Sequence, residues 1–166
     1  MKYRELILGW AAERNLIEGS TYEKQLDKLF EELGEFAGHV ARGKIDLTKD
    51  DLGDMYVVLT ILSAQLGLKE LRCPKPSEKD ILQVKPSSLY AILGGLVAIL
   101  CMKDLGVPPD ERDIEEMVAG SIFTLHCMAT KSGFDFEECV SIAWDEIKDR
   151  KGKMINGVFV KEADLV

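Results

Sequence analysis

The sequence predicts an all-α protein: a bundle of about six helices followed by a small C-terminal β-hairpin. Three observations predict it. Apolar residues recur at helical spacing along most of the 166 residues. Caps, glycines and prolines fall between those runs, where helices start and stop. Near the end, KMI and VFV flank Asn156-Gly157. That dipeptide is a strong hairpin signal, because a type I′ turn needs positive φ at both central residues.

Taken in order, a first helix covers about Tyr3–Arg14. Ser20-Thr-Tyr-Glu23 has the capping-box pattern and opens a second, running to about Arg42 and closed by Gly43. Thr48 opens a third, which ends near Gly67. Residues 69–86 hold three prolines and many charges, a connector with room for one helical turn. Ser87 or Ser88 caps a fourth helix to about Asp104. Val107-Pro-Pro-Asp110 breaks the chain and starts a fifth, to about Lys131. Ser132-Gly133 breaks it again, and Phe134–Lys148 is a sixth. The hairpin is expected over Lys153–Val160.

The chain length suits one domain, residues 1–166, with a real core. Apolar residues make up 46% and charged residues 30%, the balance of a folded protein rather than a disordered one. A net charge of −8 argues against a general nucleic-acid binder, which needs a basic face. No signal-peptide pattern opens the chain, and Leu89–Met102, the longest apolar stretch, is too short to span a membrane. The expected location is the cytoplasm. Cys73, Cys101, Cys127 and Cys139 lack CxxC spacing and read as reduced, mostly buried thiols. A zinc site from Cys127, Cys139 and His126 is the minor alternative.

Two acidic clusters carry the chemistry. In the second helix, Leu26, Leu29, Leu33, Phe36 and Val40 make an apolar stripe. Glu32 and Glu35 lie on its flank with Lys28 and His39, and Glu31 points further toward solvent. In the third helix Asp51 and Asp54 share a face that continues as Val58 and Ile61. That helix is apolar nearly all round, so Asp54 faces the core. A buried unpaired carboxylate costs several kcal/mol or is forced neutral. Carboxylates that also repel one another find the least costly escape in a bound divalent cation. All-oxygen ligands suit Mg²⁺ or Mn²⁺. The alternative is structural: Asp50 and Asp51 in a first helical turn, where acids are favoured, and the glutamates as a solvated face. That account fits Asp54 poorly.

Residues 148–153, KDRKGK, gather Lys148, Arg150, Lys151 and Lys153 in six positions. A helix C-terminus explains the first two. Lys151-Gly-Lys153, running into the Asn156 turn, suits a phosphate clamp. Metal-binding carboxylates beside such a clamp point to a nucleotide polyphosphate.

Glu32-x-x-Glu35 followed by Asp51-x-x-Asp54 resembles the ExxE…ExxD signature of the MazG-like, all-α nucleoside triphosphate pyrophosphohydrolases. Asp51 stands where the usual glutamate would, within Asp50-Asp51-Leu52-Gly53-Asp54, which resembles the DxxGD form of phage-type members. WAAERNLI (Trp10–Ile17), QLDKLFEELGEF (Gln25–Phe36) and EIKDRKGKMINGVFVKEADL (Glu146–Leu165) look like the same group. The resemblance covers the first 68 residues and the last 30 or so, and leaves 69–132 uncovered. Asp145 departs from the asparagine that many members carry before the lysine matching Lys148. The resemblance implies hydrolysis of an NTP or dNTP to the NMP and pyrophosphate. Glu32, Glu35, Asp51 and Asp54 would hold Mg²⁺, with Glu31 or Glu35 as general base. Lys148, Arg150, Lys151 and Lys153, with Asn156, would steady the phosphates, and Trp10, Arg14, Gln25 and Lys28 would contact the nucleotide. A homodimer or homotetramer is expected, in the host cytoplasm if the chain is phage-encoded. The rival readings are a helical interaction module without turnover and, within enzymes, a dUTP- or dCTP-specific hydrolase or a phosphoribosyl-ATP hydrolase.

Overall fold

The computed structural model describes residues 2–68, 71, 73–107 and 109–165. Lys69 of the expected connector and Pro108 of the expected break lie outside the described residues. The helices are α1 (Lys2–Glu13), α2 (Tyr22–Ala41), α3 (Thr48–Gln65), α4 (Glu78–Gln83), α5 (Pro86–Asp104), α6 (Glu111–Lys131) and α7 (Phe136–Ile147). An antiparallel hairpin follows, β1 (Gly152–Ile155) and β2 (Val158–Lys161), with Ile155 opposite Val158. The fold is therefore the all-α bundle with a small hairpin that the periodicity predicts. Its turn is Asn156-Gly157, both at positive φ, 51° and 78°.

Four local expectations change. The connector holds a seventh helix, α4, closed by a full capping box between Ser77 and Asp80. The N-cap of α2 is Thr21, not Ser20; the Ser20 hydroxyl instead donates to the Gly157 carbonyl at 2.7 Å. Thr48 does not cap α3. A 3₁₀ turn, Ile45–Leu47, leads straight into that helix, and the Thr48 hydroxyl donates to the Ile45 carbonyl at 2.7 Å. Helix α5 starts at Pro86, ahead of both expected caps, because proline suits the first helical position, where its missing N–H is not needed. Ser88 still contributes, its hydroxyl accepting from the Lys85 N–H at 3.1 Å.

Packing divides the chain into two compact units, Met1–Lys69 with Glu137–Val166, and Glu70–Phe136. In the first, α2 and α1 pack on α3. Helix α3 is buried nearly all round, as its apolar composition requires. Gly53 lets α7 come close to it: a Cβ there would collide with the Cys139 carbonyl oxygen and lie 2.9 Å from its carbon. Tyr3 bonds Ser141 at 2.8 Å and Lys49 pairs with Glu138 at 2.7 Å, tying α7 to α1 and α3. Helices α2 and α3 both end in the six-to-one bond of a Schellman cap, Lys44 N–H to the His39 carbonyl and Leu68 N–H to the Ser63 carbonyl, each 2.9 Å.

In the second unit α5 packs on α6, and α4 packs on α6. The core residues Leu89, Leu93, Leu96 and Leu100 of α5 are buried, as are Val118, Ile122 and Leu125 of α6. Cys127 is buried in this unit, Cys139 is buried in the first, and Cys101 is exposed. Among the described residues no helix is long and apolar enough to cross a membrane.

Candidate active site

The burial of α2 differs from the simple leucine stripe. Leu29 and Phe36 are buried, but Leu26, Leu33 and Val40 are only half-buried. Gln25 and Glu32 take the inner face instead. A carboxylate on the inner face of a helix needs a counter-charge, and Lys28 supplies it. Its ammonium stands 2.6 Å from Glu32 Oε1 and 3.0 Å from Glu31 Oε2. Burial still raises the Glu32 pKa above the usual carboxylate range, against the pull of Lys28. Lys28 is itself raised: burial disfavours its charge, but the bonds to Glu32 and Glu31 outweigh that.

The first turns of α3 face the same place. Asp54 is half-buried, and its pKa is pushed up to about 7, first by burial and then by repulsion from Glu32, Asp50 and Glu146. Asp50 is raised by burial and by Glu146, Glu32 and Glu35. Its Oδ1 is buried without a hydrogen-bond partner among the described residues. Asp51 behaves differently. It is 3% exposed, and its Oδ2 lies 2.7 Å from His39 Nδ1. Burial raises it while His39 opposes the shift.

Glu32, Asp50 and Asp54 open on a cleft of about 660 Å³ that belongs wholly to the first unit. Glu31, Glu32, Glu35, Asp50, Asp54 and Glu146 form its acidic side. Val57, Val58, Ile61 and Leu16 form an apolar wall, and strand β2 runs along the cleft with Phe159 and Lys161. Trp10 and Gln25 line it too; the Gln25 amide donates to the Val58 carbonyl at 3.4 Å. Arg14 lies over the Trp10 ring at 4.7 Å.

Of the sequence-assigned residues, Glu31, Glu32, Glu35, Asp54, Lys28, Gln25, Trp10 and Arg150 therefore share one cleft. Asp51 is not among its lining groups and is held by His39. Lys148, Lys151 and Lys153 do not line it either. Lys148 pairs with Asp145 at 2.6 Å, and Lys151 and Lys153 are exposed. Asn156 meets the site through its carbonyl, which accepts from Lys24. Sequence reasoning missed Asp50, Glu146, Lys24 and Lys161 as lining groups. Asp50 was available as the neighbour of Asp51, and only the direction of the helix distinguishes the two. Glu146 carried a faint signal, a lone acid just before the basic run.

The donor set suits a hard divalent cation: carboxylate oxygens only, one of them a buried oxygen without a hydrogen-bond partner among the described residues, and one carboxyl raised to about 7 by burial and by its like-charged neighbours. Among the described residues no three acidic, histidine or cysteine side chains already close on one point. Glu32 points to Lys28, so a cation would have to take the place of that ammonium.

No family model matches the chain, and no solved structure matches it. The chain is similar to an "Uncharacterized 18.2 kDa protein in rep-hol intergenic region" of Haemophilus phage HP1 (strain HP1c1), at 52% identity over 56 residues. That stretch is 34% of this chain and 34% of the relative, so the chain covers about a third of the relative's length.

Proposed function

We propose that the protein is a Mg²⁺-dependent nucleoside triphosphate pyrophosphohydrolase of MazG-like type, converting an NTP or dNTP to the NMP and pyrophosphate. One observation carries the reading. Six carboxylates from α2, α3 and α7 line a cleft that is also lined by Val57, Val58, Ile61 and Leu16, and Asp54 among them is raised to about 7. A fold does not require such a concentration of repelling charge. A polyphosphate bound through a cation, with its base against the apolar residues, accounts for both features.

Glu32, Glu35 and Asp54 would hold Mg²⁺ (or Mn²⁺), with Asp50 beside them, and Asp51 would reach the ion only from outside the cleft lining, through the oxygen that does not meet His39. The ion would supply charge for the phosphate oxygens and a more acidic water. His39 would orient the Asp51 carboxylate, as outer partners of metal ligands do. Glu31 or Glu35 would accept the proton of the attacking water. The water oxygen bonds to the α-phosphorus, the bond to the α–β bridging oxygen breaks, and pyrophosphate leaves with that oxygen. Arg150, Lys24, Lys28 and Lys161, which line the cleft, would steady the phosphates. Lys148, Lys151 and Lys153 would act only by reaching in from outside.

The phage relative fits a role in the host cytoplasm. A second copy of the chain would cover exposed Tyr90 and Met102 on α5, making a homodimer or homotetramer; light scattering that shows a stable monomer at micromolar concentration contradicts that. The competing reading, a helical interaction module, draws on the Lys28–Glu32 pair, which already neutralises part of the cluster. A panel of NTPs and dNTPs with Mg²⁺, scored for pyrophosphate against phosphate, separates the two. Pyrophosphate release supports the hydrolase. Phosphate release points to a phosphatase, and no turnover with any nucleotide favours the module.

A further inference from the structure

The cleft lining carries a polar group that the phosphate chemistry leaves unused. Trp10 is only 7% exposed, and its indole Nε1 is buried with no hydrogen-bond partner among the described residues. Buried indole N–H groups are normally satisfied. The ring is also fixed in place. The Arg14 guanidinium lies 4.7 Å from its centre. That guanidinium is itself held, donating to the Trp10 carbonyl at 3.2 Å and to the Arg150 carbonyl at 3.0 Å. The Phe159 ring stands edge-on to Trp10, with centres 5.9 Å apart at 65°.

Phe159 belongs to a strand whose one pairing partner is β1. Two bonds fasten the hairpin turn to the start of α2, from Ser20 to the Gly157 carbonyl and from Lys24 to the Asn156 carbonyl. A two-stranded hairpin held at its tip is the part of this cleft best able to adjust, whereas Val57 and Val58 sit on a helix buried nearly all round. A flat ring entering the cleft would meet rigid aliphatic Val57 and Val58 and the more adjustable Phe159, all of which line it.

Resting on the nucleotide-hydrolase reading, we propose that strand β2 forms one wall of a nucleobase slot, with the base held between Phe159 and Val57 and Val58 of α3. A ring carbonyl of the base accepts from Trp10 Nε1–H once Phe159 gives way. Thymine, uracil, cytosine and guanine carry such a carbonyl and adenine does not, so adenine nucleotides are the disfavoured class. Base recognition then lies in the first unit, and residues 70–136 are not needed for it.

The test uses the full chain carrying Trp144→Phe, which leaves Trp10 as the one tryptophan of the two. Its fluorescence is titrated with the α,β-methylene analogues of dTTP and dATP and with inorganic tripolyphosphate. The dTTP analogue is expected to shift the Trp10 emission and to bind at least about tenfold more tightly than the dATP analogue, because a site left with an unpaired donor rejects the ligand that lacks the acceptor. Tripolyphosphate is expected to bind without the shift. Phe159→Ala should weaken the dTTP analogue while leaving tripolyphosphate unchanged. Trp10→Phe, followed by calorimetry, should erase the difference between the two analogues; should that variant not fold, the Phe159→Ala arm decides alone. Equal affinity for both analogues, or a silent Trp10 with nucleotide bound, overturns the slot while pyrophosphate release leaves the hydrolase standing. If no nucleotide binds and none is turned over, both fall.

Discussion

Two helical pairs of similar length each pack helix against helix and bury their charges differently. Helices α2 and α3 have 20 and 18 residues; α5 and α6 have 19 and 21. Each pair includes one helix that is apolar nearly throughout, α3 in one and α5 in the other. In the second pair no acid among the described residues is fully buried. Glu111, Asp113 and Glu116 are exposed on α6, Arg112 pairs with Glu116 at 3.1 Å, and Pro86–Met102 carries no charge at all. In the first pair Glu32 and Asp51 are buried, and Asp54 is titrated into the neutral range. On the proposed reading, the inward carboxylates of α2 and α3 serve a bound cation rather than the fold.

The largest break in that comparison should come from removing one charge in each pair. Asp54→Asn keeps the shape of the side chain, and pyrophosphate release should fall by orders of magnitude in a turnover assay. Glu116→Gln on α6 should leave turnover unchanged and stability within about 0.5 kcal/mol, as surface substitutions do. Equal effects would erase the distinction between the pairs.

A smaller effect separates two glycines. Gly53→Ala on α3 drives a methyl group into the Cys139 carbonyl and should cost about 1–3 kcal/mol in chemical denaturation, since the backbone itself must move. Gly94→Ala on α5 meets nothing within 4 Å. It should gain about 0.5–1 kcal/mol from helix propensity alone.

The pH dependence should be gentler and has a definite sign. The folded pKa of Asp54, about 7, lies above its ordinary 3.8. Between those values the native state holds the proton more tightly than the unfolded chain. Its contribution to stability is therefore complete below 3.8 and is lost as pH rises through about 7, at up to about 1.4 kcal/mol per pH unit. Glu32, Asp50 and Asp51 are raised too and act in the same direction. In EDTA the parent should melt lower at pH 7.5 than at pH 5, and Asp54→Asn should flatten that slope. A parent whose stability rises across the window would contradict the assignment.

Much of this was legible in the sequence, because the relevant signals are local. Helical period, the Asn156-Gly157 turn and the terminal glycines act within a few residues, so the elements follow from them. Asp54 was legible as well: three residues after Asp51 and in line with Val58, it had to meet the core. The direction of the neighbouring acids was not. Whether Asp50 or Asp51 faces the cleft depends on how α3 is rotated against α2, and His39, distant in sequence, captures Asp51. The basic run is a related case. Lys148, Lys151 and Lys153 are close in sequence, but the helix end and the strand alternation turn them outward. The lysines that line the cleft, Lys24, Lys28 and Lys161, come from two separate elements. Thr48 and Ser20 carried capping signals that tertiary bonds redirected to the Ile45 and Gly157 carbonyls.

Paired melting curves of the parent and Asp54→Asn, each with and without millimolar Mg²⁺ at pH 7.5, test the central claim most directly. A cation that binds only the native state raises its stability by mass action. The parent should therefore gain thermal stability from Mg²⁺ and the variant should not. Without Mg²⁺ the variant should be at least as stable as the parent, because a repelling carboxylate has been neutralised. A parent that Mg²⁺ does not shift, together with a variant destabilised by roughly 1–3 kcal/mol in its absence, would make Asp54 a structural acid and contradict the metal-site account.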